Sequence, residues 1–450
     1  MSVVGADTAW VLVSAALVMF MTPGLALFYG GLVRSRHVLA TIAQSFVALG
    51  VVSVAWVCVG YTLAFGPDVG GVIGGLRHVG LAGVGAAPST WAPTVPSSAF
   101  ATFQLMFAVI TPALISGAVA ERLRFGAYVM FLVMWSILVY APVAHWVWGG
   151  GFLGGAGVGA LDFAGGTVVH VTAGAAALAA TLFVGARSGY PRGPFVPHNV
   201  PMVVLGAGIL WFGWFGFNAG SALSAGATAS GAFLATQLAA ATAMLSWSAL
   251  ERLRHHHAST IGAATGAVAG LVAITPAAGF VTPLAALAIG AIAGGLCFAA
   301  VEAKQRFLYD DSLDVVGVHL VGGVVGALLT GVLASAVVNP AGVDGSLVQL
   351  GRQLLAVVVS GGFSFVATLG LLVAIERVTP VRASDEEEDA GLDATQHGES
   401  AYSFGERSGL WRATTDGFDP DGELRGLREA IVTEAARRTI EALREPNPLD

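Results

Sequence analysis

Charged residues are scarce in this 450-residue chain: Asp, Glu, Lys and Arg together make up 11% of it. A soluble domain carries about 25%. Apolar residues make up 55% of the sequence. This balance excludes an ordinary soluble domain and indicates an integral membrane protein, whose main partner is the lipid bilayer. We expect no nucleic-acid partner.

Cysteine is almost absent as well. Cys58 and Cys297 are the only two, both fall within apolar segments, and they lack the spacing of metal ligands. They are therefore interpreted as core residues, and we expect no disulfide. No HExxH-like motif or Ser/His/Asp set is visible, which disfavours an intramembrane enzyme. We expect no catalytic residue, no metal site and no cofactor.

The apolar sequence divides into segments long enough to cross a membrane as helices. Eleven are counted, at about 8–29, 39–65, 99–120, 125–148, 161–186, 199–221, 229–250, 259–275, 280–301, 313–335 and 351–376. No basic stretch precedes the first one, so we expect no separate signal peptide and a retained first span. The predicted fold class is an all-α integral membrane protein with eleven transmembrane helices.

Positive charge gathers in alternate gaps between these segments. Twelve Lys and Arg residues occupy the gaps after segments one, three, five, seven, nine and eleven, against two, Arg77 and Arg352, in the others. Because cytoplasmic loops hold the positive charge, the N-terminus is predicted to be outside and the C-terminus inside. An odd number of spans agrees with this orientation.

Two apolar segments contain a histidine well inside the predicted membrane. His170 follows Asp162 and two glycines, and His319 follows Asp314 and one glycine. At about 1.5 Å per residue, His170 lies roughly 12 Å beyond Asp162, near the middle of a hydrocarbon layer about 30 Å thick. A buried histidine can be a packing group, but an ionisable residue at membrane depth is a functional candidate by default.

The two histidine segments run in opposite directions through the membrane. Segments one to five and six to ten are therefore predicted to be two inverted five-helix repeats, followed by a final helix. In that architecture the sites lie near the midplane between the repeats. We accordingly expect the imidazoles of His170 and His319 to be in contact.

Aromatic residues are predicted to lie in layers above His170. The segment ends place Trp148 and Ser221 at the outer mouth, with Phe107 and Phe217 roughly one turn deeper. Each has an alternative interpretation, since Trp148 can be an interfacial belt residue and either phenylalanine can face lipid. Asp162 can likewise be a helix N-cap.

Five separated motifs resemble those of the ammonium transporter (Amt/methylammonium permease/Rhesus) family. They are the stretch 24–32, Asp162 to Gly166 with His170, Trp214 to Ser221, Asp314 with His319, and the stretch 391–402. The resemblance covers roughly residues 1–404. It implies an eleven-helix protomer with its own pore, a homotrimer in the cell membrane, and uptake of ammonium, with methylammonium as an analogue.

The resemblance also implies roles for individual residues. Phe107, Trp148 and Ser221 match the outer ammonium site, and Phe107 with Phe217 matches its stacked gate. His170 and His319 match the twin-histidine pore. The supporting residues are Asp162, which matches an essential acidic position, Trp214 and Asp314.

Physical chemistry favours a proton-stripping route for such a substrate. Aromatic faces attract a desolvated cation with about 2 kcal/mol or more, whereas an isolated ion entering an apolar medium loses tens of kcal/mol of solvation. The ion is therefore expected to leave its proton near the gate and to cross as ammonia between two neutral imidazoles. Both electroneutral and proton-relayed, electrogenic transport remain open.

The C-terminal part of the sequence changes character. We predict a transmembrane domain over 1–380, a cytoplasmic regulatory tail over 381–404, and an additional segment over 405–450 with a short amphipathic helix near 423–445. The stretch 384–389 is interpreted as a solvated acidic run. The resemblance implies that a PII-type signalling protein binds the cytoplasmic face. A rival function is an ammonium sensor that reports through its tail.

Overall fold

Membrane-length helices dominate the computed structural model, which describes residues 2–155, 157–193, 195–307 and 309–402. Residues up to Ala401 form one compact unit. Its long helices are α1 (Gly5–Leu32), α2 (Val38–Phe65), α3 (Ser97–Val119), α4 (Phe125–Val147), α5 (Gly166–Val184), α6 (Val200–Gly220), α7 (Ala227–His255), α8 (Thr260–Ile274), α9 (Pro283–Phe307), α10 (Val316–Leu333) and α11 (Leu347–Glu376).

Each predicted apolar segment overlaps one of these helices. Within the described residues, ten helices are long and apolar enough to cross a membrane. Helix α8 has 15 residues, or about 22 Å at helical rise, which is shorter than a hydrocarbon layer of about 30 Å. The count of eleven spans and the orientation of the termini therefore stay predictions.

Helices α1 and α6 pack closely because glycines line their contact. A methyl group added to Gly24 would lie 2.6 Å from Ile209 Cγ2, and one added to Gly216 would lie 2.6 Å from Leu17 Cβ. Both separations are too short for carbon atoms, so glycine is required at these positions. The close approach brings α1 and α6 together as two walls of one central cavity.

The connection between α2 and α3 contains four short strands. Strands β1 (Asp68–Val69) and β2 (Ile73–Gly74) form one antiparallel pair, and β3 (Pro88–Ser89) and β4 (Ala92–Pro96) form another. Buried His145 of α4 binds the start of this connection. Its Nδ1 lies 2.9 Å from the backbone oxygen of Ala64, and its Nε2 lies 2.8 Å from Asp68 Oδ1.

The interpretation of both cysteines as core residues is wrong for one of them. Cys297 is buried, but Cys58 is exposed on the surface of the protomer. Cys58 lies in a π-helical turn of α2, Trp56–Gly60. In a membrane span an apolar side chain can face outward as favourably as inward, so an apolar neighbourhood does not predict burial.

The acidic stretch after α11 is more ordered than predicted. It forms helix α12 (Asp385–Ala390), which Ser384 and Glu387 cap reciprocally. Glu388 is fully buried and accepts hydrogen bonds from Arg382, while Glu387 pairs with Arg124 at 2.6 Å. The prediction of a solvated run is wrong for Glu388, whose carboxylate also accepts the N–H of distant Ser188, whereas Asp385, Glu386 and Asp389 are exposed as predicted.

Another π-helical turn, Asp393–His397, follows α12 and contacts the start of α2. Asp393 Oδ1 accepts the Ala40 N–H at 2.8 Å, and His37 Nδ1 accepts the Leu392 N–H at 3.3 Å. The tail therefore docks on the same end of the helices as the α1–α2 turn. The predicted helix near 423–445 lies outside the described residues.

Candidate functional site

Both histidines lie in π-helical turns that begin their helices. These turns are Gly166–Val171 in α5 and Val316–Leu320 in α10. A π turn inserts an extra residue into the helical hydrogen-bond pattern and is frequent at functional sites. Here the two turns bring the imidazoles into the centre of the bundle.

Asp162 caps the first of these turns. Its Oδ1 accepts the N–H groups of Gly165 and Gly166 at 2.9 and 2.6 Å, and its Oδ2 accepts those of Thr167 and Val168 at 2.9 and 3.0 Å. One carboxylate thus satisfies four amides that a helix start leaves unpaired. These contacts are those expected of Asp162 as a cap at the start of the helix.

The equivalent carboxylate before His319 is Asp311. Its two oxygens accept the N–H groups of Val315 and Val316 at 3.0 and 2.7 Å. Asp311 and Asp162 each lie eight residues before their histidine. The sequence pairing of Asp314 with Asp162 is therefore offset by three residues. The eight-residue spacing is the signal that would have identified Asp311.

Asp314 has a different position. Its carboxylate contacts Lys304 Nζ in an ion pair, and its backbone is in the left-handed region with φ 62°. The structure consequently places Asp314 at the beginning of α10, away from the imidazole contact.

The imidazoles of His170 and His319, predicted to meet, lie with their Nδ1 atoms 3.2 Å apart. Both residues are buried, and their ring planes are inclined by 26°. A hydrogen bond between two Nδ1 atoms needs one donor and one acceptor. In a neutral pair, one Nε2 is then a donor and the other an acceptor, so the two edges present complementary groups.

A column of aromatic rings leads from Trp148 to His170. The ring centroids of Trp148 and Phe107 are 6.1 Å apart and perpendicular, and those of Phe107 and Phe217 are 4.3 Å apart. Phe217 lies 6.0 Å from the His170 ring, and Trp214 stacks on that ring at 5.4 Å. The column therefore contains the predicted outer, gate and histidine layers in that order.

Polar contacts hold the two tryptophans of this column. Trp148 Nε1 donates to the backbone oxygen of Asp162 at 2.9 Å, and Trp214 Nε1 donates to Thr275 Oγ1 at 2.9 Å. The acidic residue that caps α5 thus also fixes the ring at the head of the column.

Ser221 closes the end of α6. Its hydroxyl donates to the Phe217 backbone oxygen at 2.8 Å, and the side chain is half-buried. Because that bond uses the single hydroxyl proton, the Ser221 oxygen is left as an acceptor for a donor from outside the protein.

A small apolar cavity adjoins the histidines. Its volume is about 10 Å³, close to the least that holds one water molecule. Leu25, Leu114 and Val268 are among its walls, and no carboxylate is among the described residues that line it. Within the described chain, His170 Nε2 is buried without a hydrogen-bond partner.

Residues 9–402 match a family model that is described as "Ammonium Transporter Family". The chain belongs to the ammonium transporter family. A curated ammonium transporter from Bacillus subtilis is 48% identical over 403 residues, covering 88% of this chain and 98% of that protein. An ammonium transporter from Mycobacterium tuberculosis strain H37Rv is 49% identical over 438 residues, covering 90% and 92%.

Solved structures of the family have the same fold. The crystal structure of Saccharomyces cerevisiae Mep2 matches with a TM-score of 0.80 and 37% identity, covering 85% of this chain and 88% of that one. A structure described as a sensor Amt protein matches with a TM-score of 0.80 and 31% identity, covering 87% and 98%. This ammonium transporter family member is therefore a multi-pass membrane protein.

Sequence reasoning missed two kinds of residue in this family member. One is the cap Asp311, and the other is the set of cavity walls from α1, including Met21, Leu25 and Tyr29. The α1 motif that carries the family resemblance contains Leu25 and Tyr29. An apolar helix has no local mark that distinguishes its cavity face from its lipid face, so this set could not be selected.

Proposed function

We propose that the protein transports ammonium across the cell membrane. The observation that carries the proposal is the aromatic column that ends on the contacting His170 and His319. The names of its relatives agree with it. The substrate is ammonium, with methylammonium as an analogue.

The outer site recruits the cation with Trp148, Phe107 and Ser221. Perpendicular rings offer a π face on two sides of a small cation, and each such contact contributes about 0.5–2 kcal/mol according to how far water is excluded. The Ser221 oxygen accepts one N–H from the ion. Phe107 and Phe217 then form the gate below this site, since their centroids lie 4.3 Å apart.

The cavity below the gate favours ammonia over ammonium. It is small and apolar, with no carboxylate among its described walls, so an ion would lose its solvation without compensation. Neutral ammonia both donates and accepts hydrogen bonds. The complementary Nε2 edges of His170 and His319 match these two properties, whereas a cation could only donate.

The released proton has two routes. It returns to the outer solution in electroneutral transport, or it passes across the Nδ1 contact between His170 and His319 in electrogenic transport. Asp162 supports either route by holding the start of α5, and its negative charge favours a cation near Trp148. A current that accompanies flux distinguishes the two routes.

The assembly of the protein follows from the same proposal. We infer eleven spans with α8 as the short one, the N-terminus outside, the tail in the cytoplasm, and a homotrimer in which each protomer has its own pore. The recurrence of an aspartate cap, a π turn and a histidine in α5 and α10 supports two inverted repeats.

We also infer a division of labour along the chain. Residues 1–380 are the transport domain, residues 381–404 are a regulatory tail, and residues 405–450 are an accessory segment. Exposed arginines at the docked end of the helices, such as Arg36 and Arg192, offer contacts to a PII-type signalling protein. The docking of the tail on the α1–α2 turn supports its regulatory role.

A sensor is the second candidate, because a sensor Amt protein is among the similar structures. A sensor binds the substrate and need not pass it. The two candidates differ in flux, so one experiment separates them.

The deciding experiment is methylammonium and ammonium flux into proteoliposomes, with simultaneous current recording. Saturable flux above protein-free liposomes supports transport. Binding of methylammonium without flux would support the sensor and overturn the transport proposal.

A further inference from the structure

A second, larger cavity lies beyond the histidines. Its volume is about 580 Å³. Three helix regions line both cavities: α1 contributes Tyr29 to the first and Leu32 to the second, α8 contributes Val268 and Ile261, and the start of α10 contributes His319 and Asp314. The larger space, here called the Asp314 cavity, is thus the mouth of the same pathway on the side opposite Trp148.

Asp314 is the only carboxylate among the described residues that line this cavity. The lining also contains Arg187, but that guanidinium is occupied by Asp310 at 2.8 Å and by Glu121 at 3.2 Å. Both partners of Arg187 are carboxylates other than Asp314. The charge of Asp314 is therefore balanced within the cavity by another residue.

Lys304 of α9 supplies that balance. Its Nζ contacts the Asp314 carboxylate and also donates to the Asp311 backbone oxygen at 2.9 Å. The side chains retain 17% and 28% exposure, respectively, so the pair lies at the cavity wall and not in the protein core. A tethered primary ammonium thus occupies the carboxylate that a free ammonium ion would otherwise bind.

We propose that Lys304 is a positioning residue that keeps the Asp314 cavity from retaining the transported cation. This inference rests on the proposed transport function. Ammonia that leaves the histidines takes up a proton in water, and the resulting ammonium meets Asp314 on its way out. With Lys304 paired to it, Asp314 presents no net charge and the ion departs.

Removing the lysine exposes the carboxylate. An ammonium ion from the solution on that side then pairs with Asp314 and obstructs the mouth, so labelled substrate entering from the Trp148 side is slowed. A partly exposed ion pair contributes up to about 1 kcal/mol, which corresponds to roughly a two- to fivefold change in the inhibiting concentration.

The test measures initial influx of labelled methylammonium into proteoliposomes loaded with increasing unlabelled ammonium, at equal pH on both sides. Vesicle orientation is set by selecting those whose C-terminal tag is protected from external protease. Compared with the wild type, Lys304→Met should lower the internal concentration that halves influx by roughly two- to fivefold. Lys304→Arg should match the wild type, because it keeps the charge.

A second substitution separates charge from structure. In the double variant Lys304→Met/Asp314→Asn no free carboxylate remains, so the half-inhibiting concentration should return to the wild-type value. If the double variant keeps the shift, Lys304 acts only through its bond to Asp311 and the proposal is overturned. An unshifted Lys304→Met protein overturns it as well.

The single variant Asp314→Asn provides a further comparison. It tests whether the charge of Asp314 controls retention of the cation even if Lys304→Met does not fold. This variant leaves Lys304 as an unbalanced cation, so it should raise the half-inhibiting concentration, and a decrease contradicts the proposal. Absence of flux in wild-type vesicles is a different outcome, since it removes the transport function itself.

Discussion

His170 and His319 share a hydrogen bond between their Nδ1 atoms, 3.2 Å apart, although they are 149 positions apart in the chain. The bond fixes which ring edge of each histidine faces the cavity. It also makes the two residues one unit, so a change in either alters the hydrogen-bonding character of both.

Replacing His170 or His319 by alanine should lower ammonium flux at least tenfold or change its ion selectivity. Each variant removes one hydrogen-bonding edge and leaves the other imidazole without its partner, and a bond of about 1.4 kcal/mol corresponds to a factor of ten. Flux and current in proteoliposomes measure both effects. His257→Ala, at an exposed position, is the matched control. Unchanged flux with unchanged selectivity would contradict the pore assignment.

The double variant Trp148→Leu/Ser221→Ala should weaken recruitment more than conduction. It removes one π face and one acceptor oxygen, so the apparent affinity should fall roughly tenfold, while flux at saturating ammonium changes less. Concentration dependence of methylammonium uptake tests this. Trp91→Phe, in the α2–α3 connection, is the control. An unaltered apparent affinity in the double variant places the outer site elsewhere.

Asp162→Ala should destabilise the protein more than Asp311→Ala does. The first change leaves four backbone N–H groups without their acceptor and the second leaves two. Each unsatisfied buried group costs about 1–3 kcal/mol. Thermal unfolding in detergent gives the order, with Asp162→Asn expected between alanine and the wild type. Equal melting temperatures for Asp162→Ala and the wild type would refute the capping role.

Truncation after Phe404 should leave flux and PII binding largely intact, whereas deletion from Gly391 should impair both. The longer deletion removes Leu392 and Asp393, which bond the α1–α2 turn and the start of α2. Flux assays and pull-down with a purified PII protein provide the comparison. Loss of transport on the shorter truncation would assign residues 405–450 to the core machinery.

Docking of the tail should weaken in acid through His37. Burial lowers the pKa of His37 to about 4, and its Nδ1 accepts the Leu392 N–H. The docked state therefore binds fewer protons than the free one, so its stability is complete above about pH 6.5 and is lost progressively as the pH falls towards 4. Burial also raises the pKa of Asp393, so the docked state holds a proton on this carboxyl more readily than the free one, and this effect on docking has the opposite sign to that of His37.

The test measures hydrogen exchange at the Leu392 amide in the wild type and in His37→Asn at each pH. The difference between the two proteins gives the contribution of His37 to the pH dependence of docking. Asparagine offers an acceptor oxygen close to the Nδ1 position and does not titrate. The difference between the two proteins should grow between pH 7 and pH 5. A difference that stays constant with pH would exclude His37 as the acid-sensitive contact.

Much of the helical architecture could be predicted because the length of an apolar run is a local property. The predicted segment 229–250 corresponds to α7, Ala227–His255, and the segment 351–376 to α11, Leu347–Glu376. The fifth segment began too early, near 161, because residues before Gly166 wrap round the Asp162 carboxylate instead of continuing the helix.

The sequence could not predict in the same way which side of a helix is buried or which polar side chains bond to one another. The exposure of Cys58 and the burial of Glu388 both depend on distant partners, and the choice of Asp311 over Asp314 depends on which carboxylate the π turn of α10 reaches. Apolar composition is nearly uniform round these helices, so the sequence contains little information about which side faces a neighbour.

The sequence by itself determined that the protein resides in a membrane, where its helices run, and which family motifs it contains, since each depends on residues close together in the chain. The tertiary structure decided that His170 meets His319, that Trp148, Phe107 and Phe217 form one column, and that Lys304 covers Asp314. These contacts join different helices, whose relative rotation and depth come from close packing at glycines such as Gly24 and Gly216. Such packing is a property of surfaces in three dimensions, which no local run of residues specifies.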